Sequence, residues 1–314
     1  MTKLKTLILN NQLATAVFTP LWHLYKRLTT GYKSIEDLPG RIHYNDIYDS
    51  DNLEHYKAVS IDALKNIEKS LSKAKTQAQT TNTISNCSDT TNTNSNTSDT
   101  TCADTTNANT TNPNTNLWDN VGNCLIFPSG YGRELRMIAT KISPGKITCS
   151  DINKRAVNFC VSEFGVTPFM ASQAINSICL PEKYSLIWCG SLFTHLPENL
   201  FIDLFNLLAN ALKPDGILIF TTHERESLNR LKHYGAPMPA KNLLEEKFNK
   251  GEFTFTPYEW SDDYGISISP KSYVLNLNEK YNSSIEQKSR PLKLIRYKEE
   301  GWNNHQSVFT FQKS

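Results

Sequence analysis

A glycine-rich turn followed by a carboxylate is the clearest chemical signature in this sequence. Gly130 and Gly132 stand in the run Ser129-Gly130-Tyr131-Gly132, and Asp151 follows 19 residues after Gly132. Glycine allows the close backbone approach to a ligand that a side chain would block, and a carboxylate can accept both hydroxyls of a ribose. The spacing is close to one strand-helix-strand step, so it predicts a site for a nucleoside-containing cofactor.

Histidines and aromatic residues supply candidates for the reaction itself. His195 and His223 follow two predicted strands, and imidazole titrates near neutral pH, so either is a candidate general base. Each also fits a structural role, capping a helix or binding backbone. His305 is a third histidine that can approach the site from the C-terminal hairpin. The aromatic residues between positions 253 and 264 fit an acceptor pocket or a packing cluster, and Tyr56 fits a cofactor cover or the core.

Alternating strand and helix patterns position these residues. Predicted strands cover 124–127, 146–149, 166–170, 184–189 and 217–222, predicted helices cover 133–141, 153–164 and 199–212, and 292–297 and 306–311 form a closing hairpin. This alternation predicts an α/β fold: a doubly wound, mostly parallel, Rossmann-like sheet of seven strands with a C-terminal antiparallel hairpin. Ligands of open parallel sheets bind beyond the carboxyl ends of the strands, where the candidate residues lie.

Three segments divide the chain. Residues 1–79 are predicted to be a helical segment that packs on the core, since 51–75 carries an apolar stripe at helical spacing. Residues 80–116 consist almost entirely of Thr, Asn, Ser, Asp and Ala and are predicted to be a disordered insertion. Residues 117–314 form the predicted α/β domain, with 224–290 as an elaboration on the substrate side.

Composition limits the partners. The net charge of +2 is nearly balanced, so we expect no nucleic-acid partner. Seven cysteines include no C-x-x-C pair, which predicts neither a metal site nor a disulfide framework and favours a reducing compartment. Because no apolar stretch approaches membrane-spanning length, we expect no membrane association and a cytoplasmic location. The oligomeric state is left open.

The part of the chain from 117 to 311 resembles the class I S-adenosylmethionine-dependent methyltransferases. The resemblance rests on the glycine turn, Asp151, the run LIWCGSLFTHL at 186–196, and LKPDG at 212–216 before the fifth strand. The ending Gly301-Trp302-Asn303-Asn304-His305-Gln306 is similar to that of an uncharacterised bacterial subgroup of the family.

The resemblance implies S-adenosylmethionine as cofactor and a small-molecule or glycan-type methyl acceptor. The cofactor-binding residues it implies, together with the glycine pattern, are Ser129, Gly130, Tyr131, Gly132, Asp151, Ile152, Ser172, Gly190 and Ser191. Asp151 would bind the ribose hydroxyls, Ile152 would flank the adenine, and Ser172 would bind its edge. Gly190 and Ser191 would line the pocket near the methyl group.

Two departures from the family pattern keep other functions open. Ile126 stands at the position of an acid that usually orients the amino-acid end of the cofactor, and Pro128 replaces the first loop glycine. Proline has no backbone N–H to donate, so a cofactor-binding relative without turnover is one alternative. A nicotinamide-dependent oxidoreductase is the other, and it predicts a further parallel strand where this sequence predicts a hairpin.

Overall fold

The fold is built on a seven-stranded sheet with the order β3-β2-β1-β4-β5-β9-β8. A computed structural model describes residues 34, 38–46, 52–230, 232, 237–284 and 290–314 except 89–115, with only the backbone of 78–88. Within these residues the strands are β1 Cys124–Ile126, β2 Ile147–Asp151, β3 Thr167–Met170, β4 Tyr184–Cys189, β5 Leu212–Thr222, β6 Thr254–Tyr258, β7 Ser261–Ile268, β8 Leu292–Trp302 and β9 Gln306–Lys313. The helices are α1 Leu53–Ser88, α2 Leu135–Ile138, α3 Lys154–Phe164, α4 Glu198–Asn210, α5 Arg225–Asn229, α6 Lys241–Asn249 and α7 Lys271–Ser284.

The strand directions confirm the predicted fold class. β1 to β5 pair in parallel, whereas β9 pairs antiparallel with both β5 and β8. The last strand of the chain therefore lies between β5 and β8 and runs against both. The sheet is doubly wound and mostly parallel, with the C-terminal antiparallel hairpin that the sequence predicts.

Helices bury both faces of this sheet, which explains why its central strands are apolar at nearly every position. Alternate residues of β5 divide between the two cores: Ile217 and Ile219 pack on the side of α1, and Leu218 and Phe220 pack on the side of α4 and α7. β4 is buried over its last four residues. The two cores hold the carboxyl ends of β1, β4 and β5 in fixed positions.

The N-terminal helix α1 is longer than predicted. It begins after Asn52, whose side chain accepts the His55 amide at 3.1 Å, and its backbone continues to Ser88, nine residues into the predicted insertion. Each residue added to an existing helix gains a hydrogen bond without a new nucleation cost, so weak helix formers can extend it. Val59, Ala63 and Ile67 pack this helix on the sheet. Residues 89–115 of the insertion lie outside the described residues.

Several element bounds differ from the prediction. The helix predicted over 133–141 has only one α-helical turn, because the amides of Thr140 and Lys141 bond three residues back, as in a 3-10 helix. β5 begins at Leu212, before the predicted turn. At the position of that turn, the pairing of β5 with β4 shifts in register and Asp215 has φ 61°. Among its described residues, the region 224–290 contains a second sheet, β6-β7, and three α-helices that the sequence patterns did not define.

None of the helices in the described part of the chain is long and apolar enough to cross a membrane.

Candidate functional site

The turn after β1 contacts the carboxylate after β2 directly. The Gly130 amide donates to Asp151 Oδ2 at 2.9 Å, and the Asn153 amide donates to Asp151 Oδ1 at 2.8 Å. The Ser129 amide bonds the Ser150 carbonyl at 2.7 Å, which extends the contact between the two segments. The structure thus brings together the two parts of the predicted nucleoside site.

The two glycines of this turn differ in the space around the position that a Cβ would take. Gly130 has φ 49°, and a Cβ placed on it would meet no atom within 4 Å, so the turn is open on that side. Gly132 has φ 82°, and a Cβ there would come within 2.7 Å of Phe164 and 3.3 Å of Cys160 Sγ. Gly130 therefore leaves space for a ligand, whereas Gly132 is needed for close packing on α3.

Burial raises the pKa of Asp151 above its usual range, and the amides of Asn153, Gly130 and Ile152 act in the opposite direction. These amides bond the ionised carboxylate and favour it. A carboxylate has about four lone-pair sites. It retains acceptor capacity for a hydroxyl beyond the backbone bonds.

The ring of Tyr131 packs against residues 38–46, which lie in the segment predicted to be helical but form bends and turns rather than a helix. It stacks on His43 with ring centres 4.1 Å apart, and His43 also stacks on Tyr44 at 4.2 Å. The buried guanidinium of Arg136 donates to the carbonyls of Pro39, Gly40 and Arg41, which fixes residues 38–46 beside the turn. Tyr131 thus contributes its backbone to the turn while its ring joins this segment.

Tyr56 lies in the core rather than over an open site. It is 1% exposed, its hydroxyl donates to Asp46 at 2.8 Å, and Arg136 lies over its ring at 5.4 Å. Burial raises the pKa of Asp46, opposed by the Tyr56 hydrogen bond and the positive charges of Arg133 and Arg136. The core-packing alternative for Tyr56 is therefore the one observed.

The residues predicted to surround the adenine lie at an exposed edge. Ile152 and Met170 are exposed, and the register places Met170 opposite Asp151. Ser172 is exposed after β3, and its Oγ accepts the Ala174 amide at 3.1 Å. These positions agree with an open adenine site without showing one.

A closed hydrogen-bond network joins the ends of β4 and β5 to the start of β9. The Ser191 amide donates to Thr221 Oγ1 at 2.8 Å, Thr221 Oγ1 donates to Gln306 Oε1 at 2.6 Å, and Gln306 Nε2 donates to Ser191 Oγ at 2.9 Å. Ser191 has φ 59°, an uncommon conformation for a serine, and the network holds it there. Gly190 lies beside the indole of Trp188. Gln306 stands in the sequence only as the last residue of the motif at 301–306, and its position in this network depends on the fold.

His195 has one defined tautomer. Its Nδ1 lies 2.7 Å from the Gly265 carbonyl oxygen, which only accepts, so the structure assigns the ring proton to Nδ1. The Tyr258 hydroxyl is farther from Nδ1, at 3.4 Å. Burial lowers the pKa of His195, so its Nε2 carries a lone pair at neutral pH. No residue in the described ranges forms a hydrogen bond with Nε2.

His223 lies deeper than His195. The two rings are 6.1 Å apart, and His223 stacks on His305 with ring centres 4.9 Å apart. Burial lowers the pKa of His223 well below its usual value, and lowers that of His305 to about 4. His223 is 2% exposed, so its geometry favours the structural role over contact with an acceptor.

Three aromatic residues of the β6-β7 hairpin extend from His195 to the surface; we call Tyr258, Trp260 and Tyr264 the aromatic strip. Tyr264 stacks on His195 at 4.9 Å and 24°, and Trp260 stacks on Tyr258 at 5.2 Å and 9°. Burial, Tyr258 and the Asp151 carboxylate together raise the pKa of Tyr264 to about 12.

Backbone bonds fix this hairpin over the loop after β4. The Gly265 amide donates to the His195 carbonyl and the Ser267 amide to the Thr194 carbonyl, each at 2.9 Å. Sequence analysis named the aromatic residues but not the hairpin. The alternation of Thr254 and Thr256 with Phe255 was a strand signal, whereas Pro257 and Gly265 interrupt it.

No group of three or more His, Cys, Asp or Glu residues suited to hold a metal ion is found among the described residues.

No protein-family model and no curated protein matches this sequence. Solved structures with a similar fold include an S-adenosylmethionine-dependent methyltransferase from Clostridium acetobutylicum, with 13% identity and a TM-score of 0.42 over 62% of this chain and 84% of that one. The N-methyltransferase NodS from Bradyrhizobium japonicum, in complex with S-adenosyl-L-homocysteine, has 12% identity and a TM-score of 0.39 over 62% and 78%. The PH0226 protein from Pyrococcus horikoshii has 15% identity and a TM-score of 0.44 over 62% and 82%. These matches are distant in sequence.

Proposed function

We propose that this protein is an S-adenosylmethionine-dependent methyltransferase with a small-molecule or glycan-type acceptor. The position of β9 is the observation that carries the proposal. A nicotinamide-binding sheet of the usual order continues with a sixth parallel strand beside the fifth. Here that place is taken by β9, which runs antiparallel to β5 from the Thr222–Ser307 pair to the Ile217–Gln312 pair. This pairing favours a methyltransferase over the oxidoreductase alternative.

The residues present fit the adenosine part of the cofactor. Gly130 leaves open space at the turn, Asp151 retains acceptor capacity for ribose hydroxyls, and the apolar side chain of Ile152 is exposed next to it. Ile126 is fully buried in the core, so it offers no polar contact to the amino-acid end. Pro128 lacks a backbone N–H. Asp46 lies within electrostatic reach of Arg133 beside the turn, and its carboxylate is a candidate for that end of the cofactor.

When bound, the cofactor supplies an electrophilic methyl group whose bond to the sulfonium sulfur breaks, with its electron pair left on sulfur, as the acceptor atom bonds the methyl carbon. The chain has to hold the acceptor in line and take its proton if the acceptor is a hydroxyl. His195 is our candidate for that proton, with Nε2 as the accepting atom. His223 is the second, weaker candidate, because it is more deeply buried.

The cysteines support a reducing, cytoplasmic location. Cys124, Cys149, Cys160, Cys179 and Cys189 are free, and all but Cys179 are buried. In an oxidising compartment a chain of this cysteine content would more commonly form disulfides.

Calorimetric titration with S-adenosylmethionine, S-adenosylhomocysteine and NAD tests the proposed function. We expect heat with the first two ligands and none with NAD. Tight binding of NAD alone, or no binding of either sulfur ligand to folded protein, would refute the proposal. Binding of both sulfur ligands without methyl transfer to any acceptor would instead favour the non-catalytic alternative.

A further inference from the structure

The aromatic strip forms a continuous wall from His195 to solvent. The ring centres of His195 and Tyr258 are 6.2 Å apart, and those of Tyr258 and Trp260 are 5.2 Å apart. At the outer end Trp260 is 60% exposed, although it is one of the largest apolar side chains of the domain. Indole and phenol faces attract other aromatic rings in offset-stacked or edge-to-face geometry. Because the other rings of the strip stack on one another, Trp260 is the one that offers an exposed ring face to a ligand of one or two fused rings.

This wall leads to one atom able to take a proton. Nδ1 of His195 donates to the Gly265 carbonyl, so the ring plane is fixed and Nε2 is left with its lone pair. His195 and Tyr264 are stacked 4.9 Å apart, which places the imidazole at the inner end of the strip.

The surroundings of the inner end disfavour charge. Burial lowers the pKa of His195 and His223 and raises that of Tyr258 and Tyr264, all shifts towards the uncharged forms. A phenol is uncharged at neutral pH, whereas an alkylamine is a cation. The exposed carboxylates of Glu259, Asp262 and Asp263 would favour a cation, but they lie at the outer end of the hairpin.

From this geometry we propose, building on the proposed function, that the acceptor is an aromatic hydroxyl compound that stacks on the exposed ring of Trp260 with its hydroxyl directed at Nε2 of His195. In the transfer the acceptor O–H bond breaks, the proton moves to Nε2, and the oxygen forms its new bond with the methyl carbon. The methyl group leaves sulfur without its bonding electron pair, so atoms and charge balance and no further reactant is needed.

Binding measurements with matched probes test the class of acceptor. The probes are 2-naphthol, its saturated counterpart decahydro-2-naphthol, and the charged 2-(aminomethyl)naphthalene, each titrated in a calorimeter into protein saturated with S-adenosylhomocysteine. We expect 2-naphthol to bind at least tenfold more tightly than the other two. Equal or tighter binding of the saturated alcohol or of the ammonium compound would overturn the proposal, as would no binding of 2-naphthol.

Two variants locate the site. Trp260→Ala removes the outer ring and is expected to weaken 2-naphthol binding about 5- to 100-fold, the range for loss of one stacking partner. Trp260→Phe keeps a ring face and should restore most of the affinity. The control Leu243→Ala removes another exposed apolar side chain, on α6, and should leave binding unchanged. If Trp260→Ala binds like the wild type, the strip is not the acceptor site.

His195→Asn separates proton transfer from structure. The asparagine amide can still donate to the Gly265 carbonyl in place of Nδ1, but nothing remains at the position of Nε2. With an aromatic hydroxyl acceptor we expect kcat to fall about 100-fold or more, whereas probe affinity should fall by no more than about tenfold, the effect of losing one hydrogen bond. An unchanged kcat would exclude His195 as the base. If the wild type does not bind S-adenosylhomocysteine, the proposed function is refuted. If the wild type binds S-adenosylhomocysteine but not the probes, only the proposed acceptor class is refuted.

Discussion

We call residues 129–132, the turn after β1, the cofactor turn. Removal of the Asp151 carboxylate is the most direct test of its proposed role in cofactor binding. In Asp151→Ala the amides of Gly130 and Asn153 lose their partners at 2.9 and 2.8 Å. Both amides lie at a partly exposed edge, so water can replace the carboxylate oxygens and the fold should persist. With the ribose bound as proposed, the loss then falls mainly on the ligand, because its hydroxyls no longer have a charged acceptor.

The expected magnitude follows from that contact. Hydrogen bonds to charged groups contribute about 1.5–3 kcal/mol each, and one such loss corresponds to a roughly 10- to 150-fold higher Kd. Asp151→Asn keeps one acceptor oxygen without the charge, so its Kd should lie between those of the wild type and the alanine variant.

Calorimetry with S-adenosylhomocysteine measures this change, and circular dichroism reports whether the variants are folded. Asp119→Ala is the matched control, because Asp119 is an exposed carboxylate after α1 that lies outside the turn. If folded Asp151→Ala protein binds with the affinity of the wild type, the ribose does not lie at Asp151, and the assignment of the turn as its site is wrong.

Two further predictions concern the C-terminal hairpin. Gln306→Leu leaves the fully buried Thr221 hydroxyl without its acceptor and should lower the free energy of unfolding, measured by urea denaturation, by about 2 kcal/mol. The control Gln312→Leu should lower it by less than about 0.5 kcal/mol. Equal losses in the two variants would show that the network does not stabilise the fold. His305 has a folded-state pKa near 4 against about 6.5 unfolded, so its contribution to stability should be constant above pH 6.5 and fall by about 1 kcal/mol per pH unit between pH 6.5 and 4. Because the pKa values of His195 and His223 are also lowered by burial, His305→Asn should make the pH dependence shallower without removing it, and an unchanged slope would contradict the assignment.

The parts of the fold that the sequence predicted are those fixed by local pattern. β4 is found with the predicted bounds, and α3 differs by one residue, because Asn153 is its N-cap and Gly165 follows its last turn at φ 68°. Both elements combine a clear apolar period with residues that start or stop them. The same holds for the glycine turn, where the sequence pattern alone placed Gly130 next to Asp151.

The parts that could not be predicted depend on contacts between distant segments. An arginine in a predicted helix favours an exposed position for Arg136. In the structure it is fully buried, because residues 39–41 supply carbonyls that its guanidinium can donate to. Residues 38–46 have no helical or strand periodicity of apolar residues from which their structure could be predicted. The tautomer of His195 likewise depends on Gly265, 70 residues away, whose carbonyl direction is set by the β6-β7 hairpin.

The motif at 301–306 shows why the hairpin belongs to the site as well as to the sheet. Trp302 donates through Nε1 to the Val59 carbonyl of α1, packs edge-on against Trp188 of β4, and lies under Arg133 of the cofactor turn. Three residues later His305 stacks on His223, and Gln306 binds Ser191 and Thr221. One short turn therefore contacts the N-terminal helix, the cofactor turn and the ends of two strands. A shift of the 301–306 turn would change the relative positions of the cofactor turn and the proposed methyl-transfer residues. The same hairpin that fixes the strand order therefore also fixes the geometry of the proposed reaction.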